Sequence, residues 1–450
     1  MPGVAVSPAP GGMGPGAKQK SGQGSPVWSS GVAFYPPSSK YWRIGGKWYD
    51  FAEFLDQHPG GREVLELARD RFEDCTFVFE AHHLNYRRAR AVIAKYEVDA
   101  AVAEKSLIRK PRDGESGPPQ LLDDKSFYSV LRQRVHQHLV KVGHPGGGPT
   151  SGCIAFFWAT FAAWAALGFA TWWTGSFFVS IAYGVAAAWL GAFGHNWVHQ
   201  TKYKFWAYLS LDVIGFSSDG WFREHNMQHH MYTNTPWDNH FKGTDPFLVT
   251  DPTVPRNWLQ RCVLPYANWI ILSFGLFGNY IAHFTEVVKG NEKITVWKLC
   301  LPLQLVAFVA RWGLWGALLM YVWAGTLGVY YFSMALMNHN AEHCMDVTAR
   351  NKSRDWGEAQ LHSSADWGVD GNFYVSMKYL CLNYHTVHHM FPRVDFSHHQ
   401  AVQGILMETC SEFGVEYRTG TPWEIYKEMV GSFASPRALL QEIVIYAGGI

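Results

Sequence analysis

Charge disappears from one long stretch of this chain: no Asp, Glu, Lys or Arg occurs between Lys141 and Lys202. Within that gap residues 152–173 are almost wholly apolar, and as a helix rising 1.5 Å per residue they reach roughly 33 Å, enough for a bilayer core. Residues 177–193 form a second apolar run, separated only by Thr174, Gly175 and Ser176, so the pair predicts a tight membrane hairpin. Lys202 and Lys204 follow it, and the positive-inside rule puts them, with the long polar segment before the hairpin, in the cytosol. The rival reading is a buried hairpin of a soluble protein, but two uncharged runs of spanning length in series rarely form a soluble core.

Further apolar stretches cover residues 263–281, 299–310 and 312–337, with Arg311 between the last two. The last two are together too long for one straight span, and Gly325 and Gly328 offer a place to break. Histidine clusters lie on both sides of these stretches. If the clusters meet on one membrane face, the chain crosses an even number of times between them. Either two stretches cross and one lies along the interface, or the final two share one crossing.

Composition narrows the classes. The chain has 450 residues, 38 Lys plus Arg against 37 Asp plus Glu, 48% hydrophobic and 17% charged residues, and 21 Trp. A net charge of +1 offers no basic surface for nucleic acid. The mean hydropathy of −0.11 averages a polar front with apolar stretches behind it. The 7 Cys are scattered without a Cys-x-x-Cys pair, which signals neither a disulfide framework nor a zinc site. Residues 1–31, rich in Gly, Pro and Ser, read as a disordered tail without the apolar core of a signal peptide. No repeat indicates a solenoid.

Near the front, Tyr49-Asp50-Phe51 and Phe54-Leu55-Asp56 lead into His58-Pro59-Gly60-Gly61, a strand and short helix feeding a tight turn with a histidine at its lip. Pro fixes one dihedral, and paired glycines let the backbone approach a flat ligand. His82 follows twenty-four residues on, with His83 directly after it. Residues 38–109 thus resemble cytochrome b5, whose His-Pro-Gly-Gly motif supplies one axial haem ligand and whose second histidine sits at this spacing. The resemblance implies haem b held by His58 and His82, with His83 as the alternative and Pro59, Gly60 and Gly61 shaping the turn. With both axial positions filled, such a haem passes electrons. The tetrapeptide recurs as His144-Pro145-Gly146-Gly147, but Gly168 lies twenty-four residues beyond it; the second copy reads as a linker turn within residues 110–149.

Three histidine clusters stand in the second half. His195 and His199 end the second membrane run, His225, His229 and His230 follow, and His385, His388 and His389 come far along the chain. A spacing of four puts two imidazoles on one helix face, and imidazole suits Fe, Cu, Zn and Ni alike. One such pair is weak evidence; three clusters flanking membrane hairpins on a common face are strong. Residues 150–417 resemble the membrane fatty acyl desaturase and hydroxylase superfamily, in which these boxes bind two non-haem irons that activate O2. The resemblance adds His339, which follows Met337-Asn338, with His343 behind it as a second choice; it names no catalytic residue beyond the iron ligands. His240, His362, His398 and His399 read as supporting or surface residues.

The expected architecture is therefore an N-terminal α+β haem domain, then an all-α membrane desaturase domain over residues 150–450, with about four transmembrane helices and a cytosolic di-iron cap. The combination resembles front-end desaturases, which insert a double bond between an existing one and the carboxyl end of a polyunsaturated chain. It implies an NADH-cytochrome b5 reductase, O2, an acyl-lipid or acyl-CoA substrate and the endoplasmic reticulum membrane. Front-end enzymes usually carry Gln where this chain has His385, which leaves the regiochemistry open. Alternatives are a sphingolipid long-chain-base desaturase, a hydroxylase on the same scaffold and, from another class, a membrane-anchored electron-transfer haemoprotein.

Overall fold

The computed structural model describes residues 39–435 apart from 73, 108–122, 235–237, 239, 241–242, 252–253, 291, 293, 346–352 and 354. The tail expected over 1–31 and the first part of the expected linker lie outside the described residues.

The front domain is a small α+β unit. Strands β1 (Trp42–Ile44), β2 (Lys47–Tyr49) and β3 (Glu97–Val98) form an antiparallel sheet in that order. Helices α1 (Arg62–Arg71), α2 (Thr76–His82), α3 (Tyr86–Ile93) and α4 (Ala100–Lys105) accompany it. Trp42, Ile44, Tyr49 and Phe51 fill the core, the inward positions of short strands.

This core does not close on itself. Where a linker is expected, helix α5 (Phe127–Lys141) opens on the Ser126 cap and buries Phe127, Leu131, Val135 and Leu139. That spacing of four lays one apolar stripe along a helix, and the stripe belongs to the same core as the front domain and as Val387, Met390 and Phe391 of the third histidine cluster. Arg132, fully buried, donates from Nη1 to the Glu80 carbonyl at 2.9 Å, pairs with the Glu80 carboxylate, and lies over the Tyr86 ring at 4.0 Å. Residues 123–149 therefore join the two domains as packed structure. The second His-Pro-Gly-Gly is a turn whose Gly147 carbonyl accepts from the Asp395 amide at 2.7 Å.

Among the described residues three helices are long and apolar enough to cross a membrane: α6 (Ser151–Thr174), α7 (Phe177–Trp197) and, further on, Leu314–Asn340. Thr150 and Ser176 cap the first two, and Gly175 turns between them with φ 67°. Helix α8 (Lys204–Val213) folds back against the end of α7. The later apolar stretches become α9 (Gly275–Val288), α10 (Cys300–Trp312) and α11 (Leu314–Asn340). The break falls at Gly313, not at Gly325 or Gly328, which lie inside the unbroken α11. Those two glycines serve close packing: a side chain at Gly325 would meet Ser273, and one at Gly328 would strike the Leu272 backbone. Small residues let membrane helices approach closely. Trp312 donates to the Trp172 carbonyl at 2.7 Å and Trp315 to the Gly175 carbonyl at 2.8 Å, so α11 starts beside the α6–α7 turn and runs from there to the histidines. The chain ends in α12 (His385–Met390), α13 (His399–Phe413) and α14 (Pro422–Ala434), with short parallel strands β4 (Asp366–Trp367) and β5 (Thr419–Gly420) between their neighbours.

Candidate metal centre and haem cavity

Each histidine cluster is delivered by a different backbone device. Helix α7 carries His195 to its last turn and ends at Trp197, with His199 just beyond. Residues Phe222–His229 wind as a π-helix, a rare form that recurs at functional sites. This wider winding brings the His225 and His230 Nε2 atoms within 3.0 Å while His229 turns the other way, toward His339. Helix α12 presents His385 and His389 one turn apart, and α11 delivers His339 from the membrane side.

These side chains assemble into two groups. Nitrogens of His195, His199, His225 and His388 lie within 4.8 Å of one another, and so do those of His229, His339, His385 and His389. His230 adjoins the first group through His225. His343 stands apart from both, its Nδ1 3.9 Å from the Glu428 carboxylate and its Nε2 3.5 Å from the Cys344 sulfur.

The donor pattern tests whether a cation fits. In the second group His229 Nδ1 faces the Asp238 carboxylate at 2.9 Å, His339 Nδ1 the Ser363 carbonyl at 2.9 Å, and His389 Nδ1 the Gln360 carbonyl oxygen at 3.1 Å. All three partners are acceptors, so the proton of each ring sits on Nδ1 and Nε2 keeps a lone pair. Yet His229 and His339 point those Nε2 atoms at one another across 3.1 Å. Two lone pairs at that distance repel, and a shared cation resolves the conflict; outer hydrogen bonds of this kind fix a metal-binding tautomer. In the first group both ring nitrogens of His199 and the Nε2 of His388 are buried without a hydrogen-bond partner. Burial, reinforced by neighbouring imidazoles, holds His199, His225, His230, His385, His388 and His389 well below the usual 6.5, and burial alone lowers His229 to about 3. Neutral imidazole is the form that binds metal.

Asp238, Gln360 and His240 are the contributors that sequence reasoning left unassigned. His240 stacks on His229 with ring centres 4.6 Å apart and joins His225 and His229 in a third nitrogen group. Asp238 and Gln360 carry no motif; only the fold brings them to the histidines. A cavity of about 150 Å³ adjoins the second group, with Trp221, Tyr331, Phe332 and Leu336 among its walls.

A larger cavity of about 580 Å³ opens in the front domain, with Trp42, Phe51, Val64 and Phe79 among its apolar walls. His58 enters from the turn, where a side chain on Gly60 would come within 2.7 Å of its ring and Gly61 adopts φ 91°. The His83 ring faces His58 with centres 6.1 Å apart, and His82 lines the same cavity. Helix α2 ends at His82, and the turn beyond it swings the next side chain into the cavity. Both rings bond backbone through Nδ1, His82 to Val78 at 2.9 Å and His83 to Phe79 at 2.7 Å. The cavity is closed by the other domain: Val198, His199, Asn226 and Arg393 also line it, so His199 belongs to the walls of both sites.

Residues 170–421, more than half of the chain, match the family described as fatty acid desaturase. The chain belongs to that family. Residues 31–102 of this desaturase match the cytochrome b5-like heme/steroid binding domain. Relatives include an acyl-lipid (7-3)-desaturase of Chlamydomonas reinhardtii, 25% identical over 86% of this chain and 77% of its own length. An acyl-lipid (8-3)-desaturase of Mortierella alpina is 25% identical over 89% and 94%. A cytochrome b5-related protein of Drosophila melanogaster is 26% identical over 86% of both chains. The chain is thus a fatty acid desaturase with a fused cytochrome b5 domain, an oxidoreductase. The domain implies haem, and the family with its histidine groups implies iron.

Proposed function

We propose that this desaturase introduces a double bond into a long, already unsaturated acyl chain, on the carboxyl side of an existing bond, within a multi-pass membrane domain whose histidines and haem face the cytosol of the endoplasmic reticulum. The observation that carries the chemistry is the pair of four-imidazole groups with opposed Nε2 lone pairs. His195, His199, His225, His230 and His388 would hold one iron, and His229, His339, His385 and His389 the other. Two such irons supply O2 activation strong enough to take hydrogen from an unactivated methylene. The balance would be one acyl chain, O2, NADH and a proton giving the alkene, NAD+ and two waters: two electrons would come from the C–H bonds and two from an NADH-dependent reductase.

The chain's own residues do the rest. His58 and His83 would hold haem b, which would supply electron transfer. Asp238, Ser363 and Gln360 fix the imidazole tautomers through Nδ1. Trp221, Tyr331, Phe332 and Leu336 give the adjoining cavity an apolar wall that suits a methylene chain and excludes water. Four crossings fit the topology: α6, α7 and α11, plus α10 with the turn before it, which returns the chain to the α6–α7 turn. Arg311, over the rings of Trp172, Trp173 and Trp312, sits in an aromatic belt of the kind found at membrane interfaces.

The front-end assignment rests on the fused haem domain and on relatives named as acyl-lipid (7-3)- and (8-3)-desaturases. Its test is the lipid profile, long-chain bases included, of yeast expressing the chain and fed polyunsaturated acids. A new bond on the carboxyl side of an existing one is expected. A bond on the methyl side, in a long-chain base, or a hydroxylated product overturns the assignment.

A further inference from the structure

A haem is an apolar disc with two propionate carboxylates on one edge, and the cavity has to answer both parts. Its interior supplies aromatic and aliphatic walls from the front domain, while Arg393, Lys204 and Asn226 of the membrane domain reach its margin. Lys204 already has the Glu63 carboxylate 3.7 Å away. Arg393 is part-buried and donates from Nη1 to the carbonyl of His82 at 3.1 Å. The neighbouring Asp395 carboxylate is engaged elsewhere, by the Trp197 indole at 2.8 Å and the Ser397 hydroxyl at 2.6 Å. Burial pushes the Arg393 guanidinium below its ordinary range, and among the described residues Arg393 forms no ion pair with a carboxylate. A cation removed from water without an anion is costly. Its backbone is rigidly placed, because Phe391 and Val394 are buried and the Asp395 amide is tied to Gly147.

We infer that Arg393, on the segment following the third histidine cluster, completes the haem site from the membrane domain by pairing with a propionate carboxylate while it holds the His82 backbone. The inference rests on the haem assignment above. It would make the haem a ligand of both domains, in a cavity that shares His199 with the first metal group.

The test is haem loss from the purified full-length chain to excess apomyoglobin, followed by the absorbance of the myoglobin formed, for wild type, Arg393→Gln and Arg393→Lys. Arg393→Gln is expected to lose haem about ten- to a hundredfold faster, the size of one charge-assisted hydrogen bond, and Arg393→Lys to recover most of that. With iron protoporphyrin dimethyl ester, which lacks free carboxylates, wild type and Arg393→Gln are expected to release at equal rates. Failure of Arg393→Gln to take up haem, restored in Arg393→Lys, also supports the pairing. Equal rates with ordinary haem, the same difference with the ester, or loss from both variants overturns it. A wild-type chain that takes up no haem overturns the haem assignment itself and this inference with it.

Discussion

Replacing His83 by Ala is expected to destroy the haem site, whereas replacing His82 is not, and the distance between rings decides it. Two metal–imidazole bonds of about 2.0–2.1 Å, plus about 1.1 Å from each nitrogen to its ring centre, place axial imidazoles about 6.2 Å apart. His58 and His83 stand 6.1 Å apart in an edge arrangement, a separation that suits an iron between them. Both candidates are half-buried, and loss of hydration lowers His82 to about 4 and His83 to about 3, so each is neutral and competent near pH 7. Titration does not separate them, and neither do their Nδ1 bonds to Val78 and Phe79; position does. The assay is the visible spectrum of the purified chain in detergent, oxidised and dithionite-reduced, with haem counted per chain. His82→Ala is expected to keep the six-coordinate low-spin spectrum and one haem per chain. His83→Ala is expected to lose the low-spin bands and most of the haem, as is His58→Ala. A His82→Ala protein without low-spin bands beside a His83→Ala protein that keeps them would refute the geometric argument.

Metal analysis separates the two histidines of the segment 339–343: His339→Ala is expected to lower bound iron by about half and abolish desaturation, while His343→Ala keeps both irons; the reverse result removes His339 from the ligand set. Asp238→Asn leaves His229 without its carboxylate partner, so iron affinity measured by chelator competition should fall about 10- to 100-fold, and an unchanged affinity contradicts the orienting role. The buried triad of Glu292, His283 and Lys298, joined at 2.8 and 3.1 Å, gives a pH signature. Burial opposes charge on both His283 and Glu292, but their mutual pairing wins, raising His283 above 6.5 and lowering Glu292 from 4.5 to about 2. The raised imidazole stabilises fully below 6.5 and loses that as pH rises through its folded value; the depressed carboxylate stabilises fully above 4.5 and loses that toward about 2. Glu292→Gln should therefore cost most between pH 4.5 and 6.5, about 3–5 kcal/mol by unfolding in detergent, and a cost independent of pH would show that the triad is not charged.

Local chemistry told most of what the sequence had to tell. The uncharged gap after Lys141 marked α6 and α7 because a bilayer tolerates little else, and His58-Pro59-Gly60-Gly61 marked the candidate haem turn because paired glycines let backbone approach a flat ligand. The eight box histidines were legible as chemistry because imidazoles so clustered have few other uses. Their partition into two groups was not legible. It depends on the π-helical winding at Phe222–His229 and on α11 arriving with His339, and neither has a periodic signature. The stripe of Phe127, Leu131, Val135 and Leu139 was present in the sequence, yet a helix in place of a tether emerges only when its partners, the haem domain and the third cluster, are seen to share its core.

The sequence by itself determined the class of protein, the apolar hairpin and the candidate metal-binding side chains, since each depends on residue type over a few turns of chain. The tertiary structure alone decided which ring faces His58, which nitrogens oppose one another, that Asp238 and Gln360 stand behind them, and that Arg393 and His199 close the haem cavity. Those contacts join residues far apart in the chain, and their distances are fixed by how whole domains pack, which no local pattern records.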